Sequence, residues 1–148
     1  MCFLTYENVE CSLRRFEGFK KVCDENGVNA ETFIVKDKKT LDINYFLENK
    51  FDGIFCFNDE IAYNLLYKFD VVEDTYLEEQ LKNIKIIGYD ALAHRIRGLK
   101  RITSINFNYH EIAKKAIEII QRRVLNSEDN SPFEKICFDV SLYLKKKD

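Results

Sequence analysis

Hydrophobic residues along the chain follow two alternating patterns, short apolar runs and longer stretches in which they recur every three to four positions. Short runs rich in β-branched and aromatic residues are typical of buried strands, and the three-to-four spacing is typical of amphipathic helices. The predicted strands, in chain order, are residues 1–6, 31–37, 53–57, 83–90, 102–107 and 134–144. The predicted helices are residues 9–25, 40–50, 59–69 and 108–126.

The order of these elements predicts the fold class. Strands that alternate with long helices favour a parallel sheet that is covered by helices on both faces. Right-handed crossovers then limit the choice to doubly wound arrangements. We therefore predict an α/β fold, a parallel doubly wound, flavodoxin-like three-layer sandwich, and 148 residues are enough for one such domain.

Local signals predict where the helices end and which side faces inward. Gly27 suits the left-handed position that often follows a helix, and Thr40 is the predicted N-cap of the second helix. Leu13 is expected on the inward side of the first helix. The last helix carries the clearest apolar stripe, which consists of Ile112, Ala116, Ile119, Ile120 and Val124.

Composition and charge exclude some classes of partner. The sequence is 46% hydrophobic and 32% charged, with a formal net charge of −2 and a pI near 5.8. Such a balance does not recruit nucleic acid or an anionic membrane. No segment reaches the roughly 18 consecutive apolar residues that span a bilayer. We expect no membrane association.

The cysteines indicate the redox environment. Their number, five, is odd, and they show no C-x-x-C spacing. A disulfide framework or a zinc site would need clustered ligands, so the cysteine usage favours a reducing cytoplasm. Cys56 and Cys137 lie in apolar strand-like runs, where a thiol behaves as a small hydrophobe. With only His94 and His110 elsewhere, a Cys/His nucleophile pair has no local support.

Polar residues follow three of the predicted strands at the point where each strand ends. Asn58 and Asp59 follow residues 53–57, Asp90 is the last residue of the fourth strand, and the fifth strand ends near residues 106–109. In α/β sheets, ligands bind beyond the carboxyl ends of the strands. One of Asn58 and Asp59 is enough to cap the next helix, which leaves the other to face a crevice. Asp90 is either a turn residue or a carboxylate that binds vicinal hydroxyls.

The other candidates are weaker on chemistry alone. Arg15 has the position of a solvated helix charge, and Tyr6, Tyr89 and Tyr109 are either core-edge rings or stacking faces for a sugar. The sequence has neither G-x-G-x-x-G nor a P-loop, and it has no nucleophile elbow. Polar groups at strand ends without a nucleophile, metal or cofactor cradle indicate a binding site rather than an active site. We predict no catalytic residue, no metal and no cofactor.

Five segments together resemble a known family. They are LRRFEGFKKVCDENGV, FDGIFCFNDEIAYNLLY, IKIIGYDAL, ITSINFNYHEIAKKAIEII and VSLYLKKK. In order and separation they are similar to the LacI/GalR family of sugar-responsive bacterial transcription repressors. The matching part is the C-terminal portion of the effector-binding region, which is similar to periplasmic sugar-binding proteins. The resemblance spans nearly the whole chain and implies the C-subdomain of a periplasmic-binding-protein-like fold.

The resemblance implies a ligand-binding set. Five residues would contact a small sugar or related polyol, and they are Arg15, Asn58, Asp90, Phe107 and Tyr109. The first three would hydrogen-bond the hydroxyls, and the two aromatic residues would line the cleft. The resemblance also implies that Asp59 caps the helix and leaves Asn58 for the cleft.

The resemblance further implies a division of the chain and a set of partners. Residues 6–100 and 134–148 would form most of the C-subdomain, whereas residues 1–5 and 101–127 would be remnants of the N-subdomain. Operator DNA would be bound only through an N-terminal domain that is absent from this chain. The chain would form a homodimer and catalyse nothing. The strand and helix at 101–127 would expose an apolar stripe that needs cover.

Two other functions stay open on the sequence. A flavodoxin-like phosphoacceptor signalling module needs an acidic cluster after the first strand, where FLTYENVE offers only Glu7, and a lysine beyond the last strand. An enzyme of the sugar-phosphate or nucleoside type needs a phosphate cradle, which the scattered glycines do not supply.

Overall fold

A computed structural model describes residues 1–7, 9–36, 41–70, 79–80, 82–92, 102–126 and 131–144. The strands are β1 (Cys2–Tyr6), β2 (Glu31–Val35), β3 (Gly53–Cys56), β4 (Lys85–Tyr89), β5 (Thr103–Phe107) and β6 (Val140–Tyr143). The helices are α1 (Glu10–Glu25), α2 (Ile43–Glu48), α3 (Asp59–Asp70) and α4 (Tyr109–Leu125). Thr40 and His94 themselves lie outside the described residues.

The strands form one six-stranded sheet in the order β2-β1-β3-β4-β5-β6. The first five strands in this order are parallel, and β6 is antiparallel to β5 at one edge. The α/β prediction is confirmed, but the sheet is mixed rather than wholly parallel. Val140, the first residue of β6, pairs with Phe107, the last residue of β5. The chain therefore re-enters the sheet at the carboxyl end of β5 and runs back alongside it.

The helices lie on both faces of the sheet. Phe3 in β1 contacts Phe16 of α1, with ring centroids 5.4 Å apart. Leu4 points to the opposite face because successive side chains of a strand alternate. Its partner in the register, Phe33, contacts Phe46 of α2 at 5.3 Å. One face therefore carries α1 and the other carries α2, as a three-layer arrangement requires.

The core is apolar and centres on β1, β3 and α3. Its buried members are Cys2, Phe3, Leu4, Val35, Leu41, Phe46, Phe51, Ile54, Cys56, Phe57, Ile61, Ala62, Leu65, Phe69 and Ile102. Burial of one large apolar side chain stabilises the fold by about 1.5–3 kcal/mol. Ile61 and Leu65 are fully buried and four residues apart on α3. They fix this helix on the sheet, and with it the residues that join β3 to α3.

Two local predictions about the helices need correction. The N-cap of α2 is Asp42 rather than Thr40, because the Asp42 side chain accepts from Asn44 N at 3.0 Å. Leu13 is 63% exposed, because the side of α1 that faces the sheet includes the buried Ser12 rather than Leu13. Gly27 has a φ of 65°, which confirms the predicted left-handed residue after α1.

The last predicted strand is much shorter than its apolar pattern suggests. Only Val140–Tyr143 is extended and paired, and residues 131–139 form no regular element. Cys137 is exposed rather than packed as a small hydrophobe. An edge strand pairs on one side only, so an apolar pattern alone does not keep the whole run in the sheet.

The apolar stripe of α4 is partly exposed: Ala116, Ile120 and Val124 are exposed, whereas Ile112 and Ile119 are half-buried. No residue of this helix is buried, and its most exposed large apolar residues are Ile117, Ile120, Val124 and Leu125. The division into two subdomains stays a prediction. In the structure, β1 and β5 are hydrogen-bonded into the same sheet as the other strands. No helix in the described part of the chain is both long enough and apolar enough to cross a membrane.

Candidate functional site

The predicted site lies where β3, β4 and β5 end. These three strands are parallel neighbours in the sheet, so their carboxyl ends meet at one edge. Asn58 follows the end of β3, Asp90 follows β4, and Phe107 is the last residue of β5. The edge is also reached by α1, which contributes Arg15.

Arg15 is the centre of this edge. Its Nη2 donates to Asp90 Oδ1 at 3.3 Å, and its Nη1 donates to the carbonyl oxygen of Phe57 at 2.5 Å. The guanidinium carbon lies 3.7 Å from the ring centroid of Tyr89 and 4.6 Å from that of Phe57. A cation held over an aromatic face is stabilised by the ring quadrupole. The Arg15 side chain is 17% exposed, so it is a fixed part of the site rather than a solvated helix charge.

Asp90 presents a half-buried carboxylate next to this cation. Burial raises its pKa, and the ion pair with Arg15 lowers it in part. Oδ1 accepts from Arg15, whereas Oδ2 has no hydrogen-bond partner among the described residues. The hydroxyl of Tyr109 donates to the Asp90 carbonyl oxygen at 3.3 Å. Within the described part of the chain, Asp90 therefore uses one carboxylate oxygen for the ion pair.

Asn58, and not Asp59, caps α3, and Asp59 is buried rather than facing the cleft. Asn58 Oδ1 accepts from Ile61 N at 2.9 Å, so Asn58 is the N-cap of α3. Asp59 is 0% exposed, and its two oxygens accept from Ser104 Oγ at 2.6 Å and Leu92 N at 2.7 Å. The prediction that Asp59 caps the helix was wrong, because its side chain turns inward under the sheet edge. The Nδ2 group of Asn58 remains the part that the cap does not use.

Three aromatic rings form a row at the same carboxyl edge of the sheet. The Phe107 ring lies 5.1 Å from Tyr89 and 5.7 Å from Tyr109, and both contacts are edge-to-face. Tyr109 is 48% exposed, so one side of the row faces solvent. A flat ring beside hydrogen-bonding groups is suited to the apolar face of a sugar.

The structure brings the predicted residues to one place. Arg15 and Asp90 are in contact, Tyr109 bonds to Asp90, and Phe107 packs on Tyr109. Asn58 joins the group through its neighbour in the chain, whose carbonyl oxygen accepts from Arg15. Their binding of a ligand stays a prediction.

Sequence reasoning missed Phe57 and Ser104, which support the site, and it considered Tyr89 only as a core-edge ring or a stacking face for a sugar. Phe57 and Tyr89 hold the Arg15 guanidinium, and Ser104 holds Asp59. A signal for the two rings was present, since each directly precedes a predicted polar site residue. Ser104 carried no such signal, because an inward serine in a strand looks like any small residue.

An apolar trough of about 1110 Å³ runs beside α1 on the same face of the sheet. Arg15 and Tyr89 stand at one end, and Met1 and Lys85 stand at the other. Its walls are mostly apolar, and Asn26, Asp52 and Lys85 add polar groups away from Arg15. The trough shares only Arg15 and Tyr89 with the strand-end edge, and the edge is kept as the candidate site because the predicted polar groups meet there.

The chemistry of the described residues fits binding. They contain no group of three or more His, Cys, Asp or Glu side chains placed to hold a metal ion. Burial raises the pKa of the Cys2 thiol to about 12, and it raises the pKa of the Cys56 thiol well above its ordinary value. Both cysteines therefore stay protonated, and the strand-end edge offers hydrogen bonds, an ion pair and aromatic faces.

No protein-family model and no curated protein sequence matches the chain. Solved structures do. A LacI family transcriptional regulator from Enterococcus faecium with bound ribose is 22% identical, with a TM-score of 0.71 over 97% of this chain and 55% of that chain. A periplasmic binding protein/LacI transcriptional regulator from Alkaliphilus metalliredigens with D-xylulofuranose is 22% identical, with a TM-score of 0.69 over 98% and 55%. A LacI-family regulatory protein from Corynebacterium glutamicum is 22% identical, with a TM-score of 0.66 over 97% and 56%.

These comparisons establish the class of fold. The chain has the mixed α/β fold, with a mostly parallel six-stranded sheet, that LacI-family transcriptional regulators share with periplasmic binding proteins. The fold that the resemblance implied is thereby confirmed. The chain spans about half the length of the solved structures that it matches.

Proposed function

We propose that the chain is the sugar-sensing part of a LacI/GalR-type transcription repressor of the cytoplasm, and that it binds its effector without catalysis. The observation that carries this proposal is the meeting of Arg15 and Asp90, at 3.3 Å, beside an aromatic row at the carboxyl edge of the sheet. Ligands of open α/β sheets bind at this edge. The fold shared with LacI-family regulators supports the same function.

The site recognises a polyol through charge-assisted hydrogen bonds. The Oδ2 atom of Asp90 accepts from a sugar hydroxyl, the guanidinium of Arg15 donates to a second oxygen, and the amide of Asn58 donates to a third. A hydrogen bond that involves a charged group contributes about 1.5–3 kcal/mol. The exposed side of Tyr109 supplies the apolar face against the ring. Two structures of similar fold hold ribose and D-xylulofuranose, which makes pentoses the first ligands to test.

The regulatory step needs parts beyond the sugar site. In this proposal, residues 101–127 belong to a second subdomain, and sugar binding changes the position of one subdomain relative to the other. A ligand shifts such an equilibrium only through its different affinity for the two states. Operator DNA is bound through a separate DNA-binding domain, and the homodimer carries the change to it. The exposed apolar side of α4 supports a covered position for this helix in the assembly.

The carboxyl end of β1 argues against the alternative function, a phosphoacceptor signalling module. That class of domain needs carboxylates at the carboxyl end of its first strand. At this position, Thr5 is hydrogen-bonded to Ser12, and the Tyr6 ring packs on Phe57 at 6.4 Å. These groups do not bind a divalent cation or accept a phosphoryl group in the way that a carboxylate cluster does.

A ligand screen tests the proposal. The thermal midpoint of the purified chain is measured with D-ribose, D-xylulose and a panel of other mono- and disaccharides. A ligand at 100 times its Kd stabilises the fold by about 2.7 kcal/mol. We expect one sugar class to raise the midpoint in the wild type but not in Asp90→Ala or Asn58→Ala. Stabilisation that persists in Asp90→Ala, or no response to any sugar, would contradict the proposal.

A further inference from the structure

The turn that follows β4 is strained. Asp90 and Ala91 have φ values of 97° and 47°, and neither is glycine. A non-glycine residue held in this region costs on the order of 1–3 kcal/mol, and such outliers cluster at binding sites. The turn keeps this conformation only because its surroundings hold it there.

Three successive backbone N–H groups of this turn donate hydrogen bonds to neighbouring residues. Asp90 N donates to a carbonyl oxygen of β5 at 3.0 Å, and Ala91 N donates to Ser104 Oγ at 3.0 Å. Leu92 N donates to Asp59 Oδ2 at 2.7 Å. The Ser104 hydroxyl in turn donates to Asp59 Oδ1 at 2.6 Å. Two of these three hydrogen bonds, those of Ala91 N and Leu92 N, therefore depend on the carboxylate of Asp59, one through Ser104 and one directly.

Asp59 has no exposed atom with which to touch a ligand. A Cβ added to Gly88 would lie 2.1 Å from Asp59 Oδ1, so the carboxylate occupies the space over this glycine. Tyr89, the next residue of β4, points to the other face, where it contacts Arg15. Asp59 can therefore influence the site through the turn that it holds, and not by contact with a ligand.

We propose that Asp59 is a positioning residue for sugar binding. Together with Ser104, it holds the Asp90–Ala91 turn at positive φ and so keeps the Asp90 carboxylate beside Arg15. Without this network the turn relaxes to negative φ, Asp90 moves away from Arg15, and the site loses its carboxylate. The sugar-binding part of this inference rests on the proposed function, whereas its conformational part needs no sugar.

NMR on the ligand-free chain tests the conformational part. A positive φ brings the amide and α protons of one residue together and produces a strong NOE between them. Ser104→Ala removes the hydroxyl that links Asp59 to the amide of Ala91. Its matched control is Ser12→Ala, another buried serine, which is hydrogen-bonded to Thr5 at β1. We expect the strong NOEs of Asp90 and Ala91 to disappear in Ser104→Ala and to persist in Ser12→Ala.

Two further variants separate positioning from simple stabilisation. Asp59→Asn keeps the shape of the side chain, but its amide accepts from only one of the two donors, so we expect the same loss of NOEs. Ala91→Gly removes strain from the turn, so adding it to Ser104→Ala should restore the positive φ of Asp90. If folded Ser104→Ala and folded Asp59→Asn both keep the wild-type NOEs, Asp59 does not position the turn and the inference is overturned.

The sugar measurement uses D-ribose, D-xylulose or whichever sugar stabilises the wild type. Ser104→Ala should weaken its binding about tenfold, or about 1.4 kcal/mol, and Ala91→Gly should recover most of this loss. Ser12→Ala should leave the affinity unchanged. An unchanged affinity in a Ser104→Ala protein whose turn has relaxed would overturn the positioning role. If no sugar binds the wild type, the proposed function fails, while the NMR result still decides the conformational part.

Discussion

The guanidinium of Arg15 lies 3.3 Å from the carboxylate of Asp90, although 75 residues separate them in the chain. Arg15 comes from a helix on one face of the sheet, and Asp90 from the turn after a central strand. Two aromatic rings and a backbone carbonyl hold the arginine in place. This ion pair is the centre of the candidate site at the strand ends.

The ion pair should stabilise the fold. In Arg15→Ala, the Asp90 side chain, which is only 26% exposed, loses its cation. We expect the free energy of unfolding to fall by about 1–3 kcal/mol, the usual cost of leaving a buried charged group unpaired. Urea denaturation measures this change. The control is Arg14→Ala on the same helix, whose side chain is 79% exposed and whose loss should cost less than about 0.5 kcal/mol. Equal losses in the two variants would contradict the prediction.

Stability should depend on the ionisation of Asp90 in a defined direction. Because burial raises its pKa above 3.8, the folded protein holds this proton more tightly than the unfolded chain does. The contribution of Asp90 to stability is therefore fully present below pH 3.8 and is lost as the pH rises through the raised pKa.

The matched variant for this pH dependence is Asp90→Asn, which cannot titrate at this position. Relative to Asp90→Asn, the wild type should lose unfolding free energy as the pH rises from 3.8, as measured by urea denaturation across a pH series. A difference between the two proteins that grows in favour of the wild type over this range would contradict the prediction.

Gly88 should not tolerate a side chain. A Cβ there would lie 2.1 Å from Asp59 Oδ1 and 3.1 Å from Ile102 Cγ2, so the buried carboxylate must move. We expect Gly88→Ala to destabilise the fold by about 1–3 kcal/mol, as overpacking of a core does. Gly18 lies inside α1, with nothing within 4 Å of an added Cβ. Gly18→Ala should instead stabilise the helix by about 0.5–1 kcal/mol, and thermal denaturation of both variants measures the contrast.

The exposed side of α4 should cause self-association. Ile117 and Ile120 are 56% and 60% exposed, and a contiguous apolar surface of this kind marks an interaction site. We expect sedimentation velocity to show a concentration-dependent dimer that the double variant Ile117→Lys, Ile120→Lys converts to a monomer. Glu118→Lys, on the same helix, is the control and should leave association unchanged. A wild type that stays monomeric at high concentration would contradict this.

Thiol reactivity should follow burial. Cys11 and Cys137 are exposed, whereas Cys2, Cys23 and Cys56 are buried. The thiolate is the reactive form, and burial raises the pKa of Cys2 and Cys56. We expect iodoacetamide to label two cysteines in the folded chain and all five after denaturation, as counted by mass spectrometry. Rapid labelling of Cys56 in the folded chain would contradict the fold.

Much of the architecture was predictable because it depends on local periodicity. An apolar run such as residues 53–57 can only be buried, and the helix after it shows its inward side at Ile61 and Leu65. The rule that ligands bind at the carboxyl ends of strands made Asn58 and Asp90 candidates, and their binding of a ligand stays a prediction. The direction of β6 was not predictable, because an apolar run pairs equally well in either direction.

The assignment of Asn58 and Asp59 shows where sequence reasoning reached its limit. Both residues are good N-caps, so local propensity cannot choose between them. The choice depends on Ser104 and Leu92, which offer donors to a carboxylate under the sheet edge. A carboxylate can be buried when its oxygens are both hydrogen-bonded, and only Asp59 reaches those donors.

The sequence by itself determined the elements, their alternation and the set of polar groups at the strand ends, because periodicity and turn chemistry act over a few residues. Tertiary structure alone decided which groups meet. It placed Arg15 on the rings of Phe57 and Tyr89, turned Asp59 inward, and held the strained turn at Asp90. These outcomes depend on contacts between residues far apart in the chain, where geometry and desolvation choose among partners that are locally equivalent.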